Sequence, residues 1–255
     1  MEFSGRGTEW SRSLDGATSY RNLTLRATIP LAMNHRQLVL ASRSPRRHEL
    51  LELLGLPFEV ETPDVREIPR ADEAPTELVA RLSRAKARAV EVDGRAAALV
   101  LACDTVVSLG NDRSSEEILG KPRDPAEARA MLRRLRGRSH LVYSAPTTRY
   151  GVRGLMTDVV KTRLTMRLFT DEEIDSYVAS GDPMDKAGSY AIQHRGFRPV
   201  ANVEGCYANV MGLPLCHVAL QLRRRGVEPA ADVAAACQAH TGFACRVYEQ
   251  IGRPR

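Results

Sequence analysis

The stretch from residue 38 to residue 55, LVLASRSPRRHELLELLG, constrains the fold of this chain more than any other. A short apolar run leads into a small polar loop and then into leucines at helical spacing, which predicts a strand, a tight loop and a helix. Ser44 suits the N-cap, Pro45 the first helical position and Gly55 the C′ position. The start of the helix is therefore well specified by the sequence.

That helix start is also strongly cationic. The N-terminus of a helix presents unpaired N–H groups and about half a positive charge, so it attracts anions. Arg43, Arg46 and Arg47 lie within one turn of it, together with the hydroxyls of Ser42 and Ser44. Guanidinium groups bind phosphate oxygens in pairs, which favours a phosphate site. A solvated basic helix start is the alternative that this motif alone leaves open.

A carboxylate interrupts the most apolar strand of the chain. Residues 97–107 form a nearly continuous apolar run, as is typical of a strand buried on both faces, and Asp104 lies within it. A carboxylate in such a place is costly unless it is hydrogen-bonded, paired or bound to a cation. We therefore interpret Asp104 as a functional residue, with a capped structural aspartate at a strand end as the alternative.

A lysine interrupts an apolar helix face in a similar way. Residues 76–92 have the spacing of an amphipathic helix, and Lys86 projects between Leu82 and Val79 within its apolar stripe. Lys86 therefore needs an ionic partner or a route to solvent, and snorkelling to solvent is the simpler alternative.

The amino-acid composition limits the classes of binding partner and the cellular compartment that are expected for this chain. The 255 residues carry 37 Lys and Arg against 31 Asp and Glu, a net charge of +6 that favours a polyanionic partner without separating nucleotides from nucleic acids. Aromatic residues make up only 5%, so stacking platforms for single-stranded nucleic acid are sparse.

The five cysteines are odd in number and form no CxxC pair, which predicts neither a zinc site nor a disulfide framework and favours the cytoplasm. No apolar run is long enough to span a bilayer, and we expect no membrane partner.

The remaining patterns predict the domain organisation. Residues 1–36 are rich in Ser, Gly, Arg and Thr and are expected to form a mobile extension, residues 37–226 a single domain, and residues 227–255 an Ala-rich tail compatible with a helix. Within the domain, the sequence pattern predicts strands at residues 140–149, 155–169 and 201–210. It also predicts a capping box formed by Thr170 and Glu173.

The unusual polar residues share one chemistry. Several are cations, two or three are carboxylates and the others are hydrogen-bonding groups of moderate length, a mixture that suits a nucleoside triphosphate with Mg²⁺. They are Ser42, Arg46, Arg47, Glu67, Lys86, Asp104, Thr105, Lys121, Asp185, Lys186 and Gln193.

Five motifs in the same order resemble the signature stretches of the Maf family of nucleotide pyrophosphatases. The match extends over about residues 38–226, most of the chain. The motifs are ASRSPRR at 41–47, DTVV at 104–107, GKP at 120–122, DKAG at 185–188 followed by Ile192 and Gln193, and GLP at 212–214. The chain departs from the family after Gln193, where His194-Arg195-Gly196 replaces an immediate Gly, and at Ala191, where Gly is common.

The resemblance implies an α/β fold of the inosine-triphosphate-pyrophosphatase type, with two lobes, an elongated mixed sheet and a central cleft. It also implies a hydrolase that cuts the α–β phosphoanhydride bond of a nucleoside triphosphate. Asp104 would be the general base, and Glu67 with Asp104 would surround Mg²⁺ or Mn²⁺. Phosphates would be held by Ser42, Arg47, Lys86, Lys121 and Lys186.

The subtype is implied by three further positions. Arg46, Thr105 and Gln193 match the residues of dTTP/UTP pyrophosphatases, and Gln193 can both donate to and accept from a pyrimidine edge. A 7-methyl-GTP subtype is disfavoured by Thr105 and Gln193. A non-catalytic nucleic-acid or division-regulatory binder is the alternative from another class, and a homodimer stays open.

Overall fold

The computed structural model describes residues 37–91, 98–110, 117–151 and 154–251. The extension predicted for residues 1–36 lies outside them. In chain order, the elements are β1 (Leu38–Ala41), α1 (Pro45–Glu52), β2 (Phe58–Glu61), α2 (Pro75–Ala89), β3 (Leu99–Leu109), β4 (Glu117–Leu119), α3 (Pro125–Leu135), β5 (Ser139–Tyr150), β6 (Gly154–Thr157), β7 (Val160–Met166), α4 (Asp171–Ala179), β8 (Val200–Glu204), α5 (Tyr207–Met211), α6 (Leu215–Arg224), α7 (Val233–Thr241) and α8 (Val247–Ile251).

The strands form one elongated mixed sheet in the order β2-β1-β3-β5-β7-β8, with β4 paired to β3 and β6 paired to β5. β1 runs parallel to β2 and β3, whereas the pairings of β3, β5, β7 and β8 that follow are antiparallel. This arrangement confirms the predicted α/β class and its mixed sheet.

The central strands are buried on both faces, as the apolar run predicted. Leu38 and Leu40 of β1 belong to the main core, whereas Val39 and Ala41 pack on the opposite face with Ala87 of α2. This alternation follows from the two-residue period of a strand. Helix α2 therefore covers one face of the sheet, and α1, α3 and α4 to α7 contribute to the core on the other.

The ends of α1 differ in detail from the prediction. Ser44 is the N-cap, but its side chain makes no capping hydrogen bond, and Leu53 is the C-cap, so Gly55 lies beyond C′. Gly55 nevertheless has φ +66°, and a Cβ there would lie 3.2 Å from the Cβ of Ala230. The glycine is required by the turn and by the close approach of the C-terminal segment.

The single strand predicted for residues 155–169 is wrong, because the chain forms β6 and β7 with a break at residues 158–159. The neighbouring position on β5 is Pro146, which has no N–H to continue the ladder. The Pro146 carbonyl instead accepts from the backbone N–H of Asp158 at 3.2 Å and from Gln221 Nε2 at 3.1 Å. The proline of one strand therefore interrupts its neighbour.

The strand predicted for residues 201–210 is also wrong in its second half. β8 ends at Glu204, Gly205 turns the chain at φ +130°, and α5 begins after Cys206. The Sγ of Cys206 accepts from the backbone N–H of Asn209 at 3.4 Å, so the cysteine acts as the N-cap. Residues 206–211 are mostly apolar, so their pattern did not distinguish this five-residue helix from a strand.

Up to residue 251, where the described part of the chain ends, the C-terminal segment forms two helices, α7 and α8. Val233 and Cys237 of α7 belong to the main core, and the backbone N–H of Ala230 donates to the Leu54 carbonyl at 2.9 Å. Across the described parts of the chain, none of the helices has the length and apolar character needed to cross a membrane.

Candidate active site

The site residues predicted from the sequence surround one cavity of about 570 Å³. They come from the β1–α1 connection and the first turn of α1, the loop after β2, α2, β3, the residues after β4 and the segment before β8. All ten line the cavity: Ser42, Arg46, Arg47, Glu67, Lys86, Asp104, Thr105, Lys121, Lys186 and Gln193. The fold therefore places in one space residues that are up to about 150 positions apart in the chain.

The buried pair Lys86 and Asp104 lies at the centre of this cavity. Lys86 is 8% exposed and Asp104 is 4% exposed, and the ammonium of Lys86 donates to Asp104 Oδ1. The same Nζ lies 2.5 Å from Oε1 of Glu67. Each of the two residues that interrupted an apolar pattern is therefore the partner of the other, which is how burial of both charges is tolerated.

Glu67 connects this pair to the open side of the cavity, where Lys121 Nζ lies 3.8 Å from Oε2. Burial alone would raise the pKa of Glu67, but the neighbouring ammonium of Lys86 and the charges of Lys121 and Arg47 outweigh it. The pKa of Glu67 consequently lies below its ordinary value, and the side chain is a carboxylate at neutral pH.

Arg47 is fixed by three hydrogen bonds at the start of α1. Its Nε donates to the Gly212 carbonyl at 2.9 Å, Nη1 to Ser42 Oγ at 3.3 Å and Nη2 to Thr105 Oγ1 at 3.1 Å. The guanidinium group is thereby held between Ser42 of the β1–α1 connection, Thr105 of β3 and the Gly212 carbonyl. Pre-organisation of this kind reduces the entropy lost when an anion binds.

Residues that the sequence analysis did not name as site residues support this arrangement. The Thr105 hydroxyl is 2.9 Å from Ser144 Oγ, which donates to the Asn209 carbonyl at 2.9 Å. Gly212 has φ +110°, and a Cβ there would lie 3.3 Å from Arg47 Nε. The available sequence signals were a serine within the apolar run of β5 and the glycine of the GLP motif.

Arg46 and Lys186, which also line the cavity, form ion pairs with carboxylates of the segment before β8. Arg46 Nη1 lies 3.1 Å from Asp185 Oδ2, and Lys186 Nζ lies 2.6 Å from Asp185 Oδ1 and 3.1 Å from Asp182 Oδ1. Burial would raise the pKa of Asp185, but Lys186 and Arg46 together hold it below the usual range. Asp182 is a member of this cluster that sequence reasoning missed, although its spacing of four from Lys186 was visible.

The segment that departs from the family motif begins at the wall of the cavity. Ala191 and Gln193 line the cavity, whereas the ring of His194 packs edge-on against Tyr177 with centroids 4.8 Å apart. His194 Nδ1 also accepts from the backbone N–H of Phe197 at 2.9 Å. The inserted histidine therefore holds the loop together.

A buried hydrogen bond supports the cavity wall at Tyr190. The Tyr190 hydroxyl lies 2.7 Å from Nε2 of His140, which is fully buried in β5. Burial lowers the pKa of His140 to about 4, so the imidazole is neutral at physiological pH and adds no charge to the site.

The donor set suits a hard divalent cation that is shared with a substrate. Glu67 and Asp104 both reach the Lys86 ammonium, so their carboxylates are neighbours, and Mg²⁺ typically takes one or two carboxylates and completes its shell with water and phosphate oxygens. Within the described residues, no cluster of three or more His, Cys, Asp or Glu side chains could hold a metal by itself. The two carboxylates fit a cation that arrives with phosphate.

Comparison with known proteins gives a consistent result. The chain is 48% identical over 190 residues to a dTTP/UTP pyrophosphatase of Myxococcus xanthus, covering 74% of this chain and 93% of the relative. It is 47% identical over 193 residues to a dTTP/UTP pyrophosphatase of Anaeromyxobacter dehalogenans, covering 74% and 94%, and 45% identical over 200 residues to one of Methylococcus capsulatus, covering 78% and 96%.

The family comparison matches the "Maf-like protein" family over residues 37–225. That range contains every residue that lines the cavity. The match extends over most of the chain, and the relatives share close to half of their residues with it. The chain belongs to the Maf family.

Proposed function

We propose that this protein is a cytoplasmic pyrophosphatase that hydrolyses dTTP and UTP to the monophosphate and pyrophosphate with Mg²⁺ or Mn²⁺. One observation carries the proposal: Arg46, Arg47, Lys121 and Lys186 surround a cavity in which Asp104 and Glu67 meet at one buried ammonium. The names of the three relatives compared above support the choice of substrate.

The phosphate chain is assigned to the start of α1 and the cations that face it. The N-terminus of α1 and the fixed guanidinium of Arg47 would bind phosphate oxygens, and Lys121 would neutralise the departing pyrophosphate. Arg46 is half of an ion pair with Asp185, so a substrate that binds Arg46 has to compete with that carboxylate.

Asp104 is assigned to activation of the attacking water. Its position among apolar residues and next to Lys86 keeps the carboxylate in one orientation. Glu67 and Asp104 would hold the divalent cation, which supplies charge neutralisation for the phosphates when it is bound. Lys86 links both carboxylates, so it is assigned to their positioning as well as to phosphate binding.

Recognition of the base is assigned to Gln193, with Arg46 and Thr105 at the other specificity positions. An amide side chain can both donate to and accept from a pyrimidine edge. A site that hydrogen-bonds its ligand discriminates strongly against one that leaves those groups unpaired. The Thr105 hydroxyl already contacts Arg47 and Ser144, so its role includes fixing Arg47.

The substrate assignment is tested by a panel of common triphosphates and 7-methyl-GTP, each assayed for kcat/KM by pyrophosphate release with Mg²⁺ or Mn²⁺ in ¹⁸O-labelled water. We expect dTTP and UTP to be the best substrates and the label to appear in the monophosphate, because water attacks the α-phosphorus. A preference for 7-methyl-GTP would support the other subtype. Absence of turnover together with salt-dependent oligonucleotide binding would support a nucleic-acid binder instead.

A further inference from the structure

A second, small pocket lies between α5, α6 and the C-terminal helices, and four of the five cysteines line it: Cys206, Cys216, Cys237 and Cys245. Cys206 is the N-cap of α5, whereas Cys245 lies beyond residue 225, where the family match ends. Cys206 and Cys245 line this pocket together, and the rings of Tyr207 and Phe243, which lie beside them in sequence, have centroids 5.5 Å apart. Two cysteines that are distant in sequence are therefore brought close together.

Cys245 differs from its neighbours in exposure and charge. It is partly exposed, whereas Cys206 and Cys237 are buried. The hydrogen bond from Cys206, with help from the backbone N–H groups of Val247 and Tyr248, outweighs burial and lowers the pKa of Cys245 to about 6. Burial raises the pKa of Cys216 to about 12 and that of Cys237 to about 11. At neutral pH, Cys245 is thus the thiolate among protonated thiols.

Metal binding is a less suitable use of this cluster. Among the residues whose positions the structure gives, no three His, Cys, Asp or Glu groups are arranged to hold a metal ion. An accessible thiolate beside a second thiol is instead the typical arrangement of a redox-sensitive cysteine and its resolving partner.

We propose that Cys245 and Cys206 form a reversible disulfide when the protein meets a peroxide. The Cys245 thiolate attacks one peroxide oxygen, the O–O bond breaks, hydroxide leaves and a sulfenic acid forms. The Cys206 sulfur then attacks the Cys245 sulfur, the S–O bond breaks, and water leaves with the proton of Cys206. The two cysteines are oxidised by two electrons, and the peroxide is reduced.

This disulfide would join the C-terminal segment to the helix next to the nucleotide cavity. α5 begins after Cys206 and leads to Gly212, whose carbonyl accepts from Arg47. Val210, Met211 and Gly212 line the cavity directly. The bond therefore connects a segment outside the family match with the support of a predicted phosphate-binding arginine.

The test uses the full chain, reduced and freed of reductant, and then treated with stoichiometric hydrogen peroxide. After the remaining thiols are alkylated, peptide mapping without reduction should show Cys206 joined to Cys245, and dithiothreitol should remove the link. Cys245→Ser should slow thiol oxidation about tenfold or more, because the thiolate is the reactive form. Cys237→Ser, from the same pocket, is the matched control and should oxidise as the unmodified chain does.

Two further measurements separate this mechanism from incidental oxidation. In Cys206→Ser, which keeps an oxygen at the N-cap of α5, dimedone should trap the sulfenic acid of Cys245. Iodoacetamide should react with Cys245 with a midpoint near pH 6. A link between other cysteines, unchanged oxidation of Cys245→Ser, or alkylation of Cys245 no faster than that of Cys216 at pH 7 would overturn the proposal.

Discussion

At the scale of single residues, the site depends on side chains whose positions are fixed by their neighbours before any substrate binds. Lys86 and Asp104 satisfy each other within an otherwise apolar environment, and Arg47 is held by Ser42, Thr105 and a backbone carbonyl. A buried ion pair contributes little net stability, and removal of one partner leaves an uncompensated charge. Substitution of any one of these residues would also displace the side chains that it holds. We therefore expect such substitutions to lower the activity.

The close approach of Gly212 to Arg47 makes a residue-scale prediction. Gly212→Ala introduces a Cβ 3.3 Å from Arg47 Nε at a positive φ, so the guanidinium must move. We expect kcat/KM to fall by about tenfold, with a stability loss of about 1–2 kcal/mol. Steady-state kinetics and thermal unfolding provide the two measurements.

Gly242→Ala is the matched control, because Gly242 has φ +65° but a Cβ at this position would meet nothing within 4 Å. It should lose similar stability and keep its activity. If both variants lose activity equally, the contact with Arg47 is not the cause.

At the scale of elements, the loop between β2 and α2 is held in place by side-chain hydrogen bonds from α2. Glu67 lies in this loop, and Arg81 of α2 holds the loop through the carboxylate of Glu73 at 2.5 and 2.6 Å and the carbonyl of Ile68 at 3.0 Å. The hydrogen bond from Arg81 lowers the pKa of Glu73 to about 2, so the pair stays ionised at neutral pH. The position of Glu67 therefore depends on an arginine outside the cavity.

Arg81→Met should release this loop without touching the substrate. We expect kcat/KM to fall about tenfold, with an increased Mg²⁺ requirement because Glu67 is less well placed. Arg84→Met, on the same helix, removes a hydrogen bond to Thr157 instead and should leave kcat/KM nearly unchanged. A Mg²⁺ titration of both variants decides the matter, and equal behaviour would contradict the positioning role.

The elements also show what the sequence could and could not predict. β1, α1 and β3 carry strong local patterns, and the structure confirms them in outline. The break between β6 and β7 depends on Pro146 of another strand, and the helical state of α5 depends on Gly205 and a cysteine cap. Local patterns carry no information about such partners in the fold.

At the scale of the whole molecule, the fold brings together residues that the sequence identified only as anomalies. Their convergence around one cavity followed from the family resemblance, whereas the pairings of Arg46 with Asp185 and of Lys186 with Asp182 did not. Such pairings depend on the path of the segment before β8, which has little periodic pattern. The position of the C-terminal segment was equally hard to predict, because the hydrogen bonds from Ala230 and Ala231 to the Leu54 carbonyl are tertiary.

The packing of α7 gives a prediction about the whole chain. A protein ending at residue 227 loses Val233, Ala234 and Cys237 from the buried residues. We expect a loss of about 3–5 kcal/mol of stability and a decrease in Tm of roughly 10 °C. A chain ending after Gly242 keeps α7 and should lose less than half as much. Equal Tm values for the full and the shortest chain would show that α7 does not stabilise the domain.

The most direct test of the central claim is the turnover of dTTP by Asp104→Asn, measured as pyrophosphate release with saturating Mg²⁺. Asparagine keeps the shape of Asp104 and can still accept from Lys86, while Glu67 continues to neutralise that ammonium. We predict normal thermal unfolding and a kcat lowered by about 10³-fold, because the attacking water loses its base. A kcat within tenfold of the unmodified enzyme would contradict the assignment of Asp104 as the general base.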